Sequence, residues 1–287
     1  MKAAVLADIH SNHVALEACV EEAIDRGVEE FIFLGDYLGD LAYPEKTLAC
    51  LARVREAYPC TFIRGNKEDY WIDHQNGRHE DWLWEPGSSS TGMLAYVYDR
   101  LTKSQIEEFA RMPISQTIRR PRLPVFTICH GSPWKANESM REDYSYIDEL
   151  AERLETELTI CAHFHIQCDY TRRGKRIINP GSVGVPLQSG GMAQFMILSS
   201  DGGDWLSEFV SLPYDTEKTI REMDEEKLYR QAPGWYRATK AILRGRDMSH
   251  VTVLSKASAL CEQCTGERKW NNIPEEYWET ALTELGI

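Results

Sequence analysis

Seven side chains able to ligate a divalent cation fall in five short clusters. They are Asp8 and His10 in ADIH, Asp36 in LGDYLGD, Asn66 in RGNKE, His130 in CHGS, and His163 with His165 in AHFH. Each cluster follows or closes a short apolar run that reads as a buried strand. Carboxylate, amide and imidazole ligands without a thiolate suit hard or borderline divalent ions, Mn²⁺ first, with Fe, Ni²⁺ and Zn²⁺ also fitting. Two such ions about 3.5–4 Å apart can clamp both the attacking and the leaving oxygen of a phosphate ester. A single D-x-H or H-x-H tripeptide arises by chance in many chains; five clusters in consistent order at strand ends do not.

The elements that must position these residues begin with strand, helix, strand, helix, strand, the order of a parallel α/β fold. Strands are expected at 2–7, 30–34 and 60–64. Helices are expected at 13–26, capped by Asn12 and ended by Gly27, and at 44–58, with Pro44 in its first turn. Asp8 and His10, two apart at a strand end, are expected to project from one face beside one ion. Asp36 is placed to reach that ion and bridge to a second, Asn66 offers a neutral oxygen, and the three later histidines complete both shells.

Between 68 and 112 the strand signals stop, and a helical insert follows the Asn66 cluster, where it could act as a lid. Strands resume at 114–118, 124–129 and 158–161, with a helix near 147–157. Short strands joined by the turns RRGK and SDGGD then read as antiparallel hairpins over 166–212. The fold class is therefore α/β, two packed mixed sheets flanked by helices. From 214 the pattern is helical, at 217–229, 234–243, 255–264 and 274–285. The expected division is a domain over 1–213 and a helical extension over 214–287.

The net charge of −13, from 32 Lys and Arg against 45 Asp and Glu, opposes broad nucleic-acid binding, which needs clustered cations. An anionic substrate must then rely on bound metal to reverse the local field. No apolar run approaches the ~20 residues of a membrane helix, so no membrane partner is expected. MKAAVLADIHSN reads as a strand entering the first ligand pair and not as a signal peptide, so a cytoplasmic location is expected. The eight cysteines read as reduced, small apolar residues. Cys261 and Cys264 have ligand spacing, but no second Cys or His pair follows.

The series D-x-H, GD, GN, H-G and (G/A)-H-x-H resembles the calcineurin-like metallophosphoesterase superfamily. DIHSNHVAL, GDYLGDLAYP and NPGSVGVP narrow the resemblance to its small bacterial and archaeal phosphodiesterase branch, over roughly residues 1–212. The resemblance implies that Asp8, His10, Asp36 and His165 hold one ion, and Asp36, Asn66, His130 and His163 the other. It also implies a two-sheet sandwich, with 179–184 a turn beneath the site in which Gly181 and Gly184 allow tight backbone geometry. One departure stands out. The family's GNH(D/E) is Gly65-Asn66-Lys67-Glu68 here, so a lysine occupies the place of the histidine acid.

An ordinary Lys pKa near ~10.4 suits proton donation poorly at neutral pH, and adjacent cations would lower it. Holding a phosphoryl oxygen is the favoured role for Lys67, over acid catalysis or a solvated surface pair. The expected catalytic residues are thus Asp36, Asn66 and Lys67, with His74 and His79 as substitute acids. A weak acid favours leaving groups that depart unprotonated. Tyr70, Trp71, Trp82 and Trp84 either stack a nucleobase or form the core of the insert.

The expected function is metal-dependent hydrolysis of phosphodiesters, phosphomonoesters or nucleoside polyphosphate anhydrides by a hydroxide bridging two ions. The expected partner is a small phosphorylated substrate, a nucleotide among the options. Two alternatives remain: a phosphoprotein phosphatase, which needs an open, shallow site, and a non-catalytic scaffold, which would be expected to lack ligands. The helical extension has three open roles: covering a sheet edge, contributing to the pocket, or self-association into a homo-oligomer.

Overall fold

A computed structural model describes residues 2–78, 82–201 and 203–287. β1 (Lys2–Leu6) shows why the core has layers. Its side chains alternate, so Ala3 and Val5 enter the apolar layer between two sheets while Ala4 and Leu6 enter the layer under the helices. β2 (Glu30–Phe33) and β3 (Cys60–Phe62) continue the first sheet in parallel. α1 (His13–Asp25) and α2 (Pro44–Ala57) are the crossovers. Asn12 caps α1 as expected, its side-chain oxygen accepting from the Ala15 N–H at 3.1 Å.

α3 (Asn66–Gln75), α4 (Gly92–Tyr98) and α5 (Lys103–Arg111) make up the insert. α5 starts with a capping box in which Thr102 accepts from the Gln105 N–H. The second sheet holds β4 (Ser115–Ile118), β5 (Phe126–Cys129), β6 (Leu158–Ile160), β7 (Gln167–Arg172) and β8 (Lys175–Pro180), in the order β4-β5-β6-β8-β7. Here β5, β6 and β8 are parallel, with antiparallel edges. α6 (Ile147–Arg153) covers its outer face.

β9 (Ala193–Asp201) and β10 (Asp204–Leu212) form the last hairpin, and it returns to the first sheet, giving the order β10-β9-β1-β2-β3. Each sheet is therefore mixed, and the parallel first half of the chain does not make a sheet by itself. The reason is burial. Phe195 and Ile197 face one apolar layer and Met196 and Leu198 the other, so β9 needs an interior place beside β1. All five ligand clusters come directly after parallel strands, where open α/β sheets place their ligands.

α7 (Thr216–Glu225), α8 (Leu228–Gln231), α9 (Pro233–Leu243), α10 (His250–Thr265) and α11 (Glu275–Glu284) form the extension. The helix expected over 217–229 breaks at Lys227, whose φ is +56°. α10 starts five residues earlier than expected because Ser249 caps it, accepting from the Thr252 N–H at 3.2 Å. Glu222 ties the extension to the first layer, 2.7 Å from His13 Nε2 and 2.8 Å from Lys46 Nζ. A second tie reaches the insert, where Glu275 accepts from the Ser89 N–H and hydroxyl and Gly234 N–H donates to Ser89 Oγ. Gly92 makes that approach feasible, since a Cβ there would lie 1.8 Å from the Gln231 carbonyl oxygen. Among the described residues, no helix is long and apolar enough to cross a membrane.

His250, at the start of α10, is buried, stacked on Trp235 at 4.3 Å and 2.7 Å from the Thr239 hydroxyl. Burial pushes its pKa down to about 3. Because the folded value lies below the ordinary one, its stabilising contribution is complete above about pH 6.5 and is lost on acidification towards pH 3. Each pH unit in that window costs up to about 1.4 kcal/mol. In EDTA, His250→Gln should flatten the fall in unfolding free energy between pH 6.5 and 4.5. A slope equal to that of the parent chain would refute this.

Candidate active site

Strand alternation does not set the Asp8–His10 pair. β1 ends at Leu6, and Asp8 and His10 have φ of +52° and +49°. Asp36, His163 and His165 are also left-handed, at +51°, +76° and +59°. Non-glycine residues avoid this region, and such strain persists only where surrounding contacts impose it. The first constraint is the 179–184 turn: Val183 and Gly184 N–H donate to the Ala7 and Asp8 carbonyls, and Ser182 Oγ to the Asp8 carbonyl. A Cβ on Gly184 would lie 1.9 Å from the Ile9 carbonyl oxygen, so only glycine fits. The second is the next loop, whose Asp36 and Tyr37 carbonyls accept from His10 and Ser11 N–H.

Two imidazoles are oriented by hydrogen bonds at Nδ1, and a third, His10, by an ion-pair contact. His130 Nδ1 is 2.7 Å from the Leu34 carbonyl and His165 Nδ1 is 2.9 Å from the Val185 carbonyl. A carbonyl only accepts, so both Nδ1 atoms carry protons and Nε2 is left to bind. His10 Nδ1 lies 3.1 Å from Asp40 Oδ2. The freed Nε2 atoms converge on Asp8 Oδ1, at 3.3 Å for His165, 3.8 Å for His130 and 3.9 Å for His10. That oxygen is buried and has no hydrogen-bond partner among the described residues. His10 Nε2 and His165 Nε2 are themselves 3.3 Å apart, a spacing that needs a shared proton or cation between them.

An orphaned carboxylate oxygen facing imidazole nitrogens has the donor chemistry of a candidate cation site. Two groups meet the geometry: Asp8, His10 and His165, and Asp8, Asp36 and His130. Burial opposes ionisation of Asp8, but His165, His130 and His10 outweigh it and hold the carboxyl well below the usual range.

Asp36 spans both groups, with Oδ2 3.7 Å from His10 Nε2 and Oδ1 3.5 Å from His130 Nε2. Asn66 Oδ1 lies 3.0 Å from His130 Nε2. His163 lines the same cavity, and its N–H donates to Asp8 Oδ2 at 3.1 Å. Its ring lies against His130, outside both tight groups. Burial, then His130, pushes its pKa down to about 4. The fold thus brings all seven expected ligands to one place, with His163 the most peripheral.

Lys67 is not a solvated surface residue. Its Nζ is 3.4 Å from Asp40 Oδ1, and its N–H donates to Asp36 Oδ1 at 2.9 Å. Burial disfavours the ammonium, but Asp40 and Asp36 outweigh it and raise the pKa. Asp40, which sequence reasoning passed over, joins His10 to Lys67; its position four residues after Asp36 in GDYLGD was the available signal. Glu68 was also passed over as an individual residue. Oε2 accepts from the Asp36 and Gly65 N–H at 2.9 and 2.8 Å, and Oε1 from the Tyr37 N–H at 3.0 Å.

The site opens into a cavity of about 340 Å³ walled by the insert and the extension. Tyr70 reaches this wall, whereas Trp71 is fully buried in the core. Trp84 stacks on His74 at 4.0 Å, with Tyr98 against the same His74 ring. His74 therefore belongs to the insert's own packing and is not among the cavity residues, and His79 lies outside the described residues. The insert is tied to the extension through Ser89 and forms one wall of the cavity. Trp235, His250 and Trp270 complete the cavity, so the extension contributes to the pocket, one of the three roles open to it. Cys261 sits in the extension core and Cys264 is exposed.

The sequence profile described as the calcineurin-like phosphoesterase superfamily domain matches residues 1–203. An uncharacterized protein of Methanocaldococcus jannaschii is 25% identical over 251 residues, 81% of this chain and 94% of that one. Among solved structures, a hypothetical protein from Pyrococcus horikoshii OT3 aligns at TM-score 0.70 with 21% identity, over 86% of this chain and 99% of that one. A metallophosphoesterase from Sphaerobacter thermophilus aligns at TM-score 0.64 with 20% identity, over 85% and 99%. Those two likenesses concern the fold. With residues 1–203 matched and the sandwich in place, the chain belongs to the calcineurin-like phosphoesterase superfamily.

Proposed function

We propose that this protein hydrolyses small phosphoesters, namely phosphodiesters, phosphomonoesters or nucleoside polyphosphate anhydrides. Asp8, His10, Asp36, Asn66, His130, His163 and His165 would hold two divalent cations, Mn²⁺ foremost. The observation that carries this reading is Asp8 Oδ1, buried and unpartnered among the described residues while facing three imidazole nitrogens. When bound, the cations supply an activated water nucleophile and offset charge on the phosphoryl oxygens. Asp36 would offer one oxygen towards each group, and Asn66 would add a neutral oxygen. Lys67, held as an ammonium by Asp40, binds a phosphoryl oxygen.

Walls from the insert and extension favour a small substrate over a phosphoprotein. Adding Mn²⁺ to metal-free protein should release nitrophenol from bis(p-nitrophenyl) phosphate faster than phosphate from a phosphopeptide. The reverse order would favour a phosphoprotein phosphatase, and no product at all would favour a scaffold. The eight cysteines are free thiols, which supports a reducing, cytoplasmic setting.

Lys67→Met separates two roles. If Lys67 binds a phosphoryl oxygen, kcat/KM should fall by about 10²-fold for aryl and alkyl diesters alike, the scale of one lost electrostatic contact. A loss confined to alkyl esters would instead make Lys67 the proton donor.

A further inference from the structure

We propose that the extension builds a subsite for the nucleobase of a nucleoside phosphoester, with Trp270 as its principal stacking surface. This rests on the phosphoesterase reading above, because it places the phosphoryl group at the cavity floor. Above that floor the wall changes character. Trp270 and Val251 line the cavity yet remain 41% and 63% exposed, and Tyr144 at 36% lines it from the other side of the sequence. Large apolar groups lining a cavity while still exposed mark a binding surface. The Trp270 ring is braced edge-on by Trp82 at 4.4 Å.

A further feature narrows the ligand. Ser90 and Ser139 line the cavity, and their buried hydroxyls have no hydrogen-bond partner among the described residues. A flat heteroaromatic ring uses both stacking and such hydroxyls, whereas an alkyl group uses neither. Arg141 at the rim gives its guanidinium to Asp143 through two bonds of 2.9 and 2.8 Å. Asp143 thereby takes two of the five N–H donors of Arg141, so the rim does not discriminate a second phosphate, and Trp270 with the two hydroxyls is what selects the base.

The test is calorimetric titration of the Mn²⁺-loaded protein with AMP and with ribose 5-phosphate, which differ only by the base. AMP should bind about tenfold or more tightly, the scale of one stacked base. Trp270→Ala should remove that difference and leave ribose 5-phosphate affinity within about twofold, and Trp270→Phe should restore most of it. Equal affinities for the two ligands in the parent chain, equal weakening of both by Trp270→Ala, or binding of neither would overturn the subsite. Hydrolysis of bis(p-nitrophenyl) phosphate, assayed alongside, reports on the catalytic reading separately. A chain that prefers AMP but releases no nitrophenol keeps the subsite and loses the enzyme.

Discussion

Asp8→Asn should lower kcat/KM on an aryl diester by about 10²–10³-fold, the scale of removing one electrostatic element from a site. It should also abolish the stabilisation that Mn²⁺ confers. The reasoning starts from burial. Asp8 is wholly inaccessible, one carboxylate oxygen accepts the His163 N–H, and the other faces imidazoles without a hydrogen bond. Asparagine keeps an oxygen for His163 and changes the volume little, so the fold should survive. What disappears is the negative charge that a cation needs in a buried site. In the parent chain, Mn²⁺ at about 100 times its Kd should raise unfolding free energy by about 2.7 kcal/mol. Thermal unfolding with and without Mn²⁺ reads this directly. An Asp8→Asn protein that still gained stability from Mn²⁺ would place the metal elsewhere.

Glu68→Leu should cost at least about 3 kcal/mol, since three buried N–H donors would each lose a charged acceptor at about 1–3 kcal/mol apiece. Total stabilities run to about 5–15 kcal/mol, so this is a large share. The three donors belong to Asp36, Tyr37 and Gly65, so Glu68 clamps the loop after β2 to the loop after β3. The clamp brings Asp36 beside Asn66. Burial and then the Asp36 charge raise the Glu68 pKa to about 7, so part of the ion's natural advantage is already opposed. Glu68→Gln keeps one oxygen and should fall between Leu and the parent. Urea unfolding in EDTA measures all three, and a Leu variant within 1 kcal/mol of the parent (roughly the worth of one ordinary hydrogen bond) would show that the clamp is dispensable.

Both residues illustrate what a sequence makes legible. The clusters at Asp8, Asp36, Asn66, His130 and His163 could be read because each is a ligand type placed directly after an apolar run. Strand alternation, however, misdescribed the first pair. Asp8 and His10 converge through left-handed backbone that local pattern does not encode, held by the 179–184 turn more than 170 residues away in the chain. Glu68 was unreadable as an individual, since a carboxylate that accepts from backbone N–H groups looks in sequence like any other acid, and Asp40 left only its spacing from Asp36 as a signal.

The aromatics divide the same way. Trp71 and Trp84 were read as either a core or a stacking face, and packing buried Trp71 in the core and set the half-buried Trp84 against it. The aromatics that do reach the cavity from the end of the chain, Trp235 and Trp270, lie more than 160 residues after Asn66. Nothing local told where α9, which carries Trp235, or the segment between α10 and α11, which carries Trp270, would dock.

By itself, then, the sequence determined the order of elements, the two-sheet class and the seven candidate ligands that the fold brings together. Apolar period, caps and ligand chemistry are short-range properties, written within a few residues of where they act. The tertiary structure alone decided the strained loop geometry, the pairing of the last hairpin with β1, the carboxylates that orient the site, and the walls of the cavity. Each of those depends on groups far apart in the chain meeting only after the core closes, and no window of sequence contains both partners.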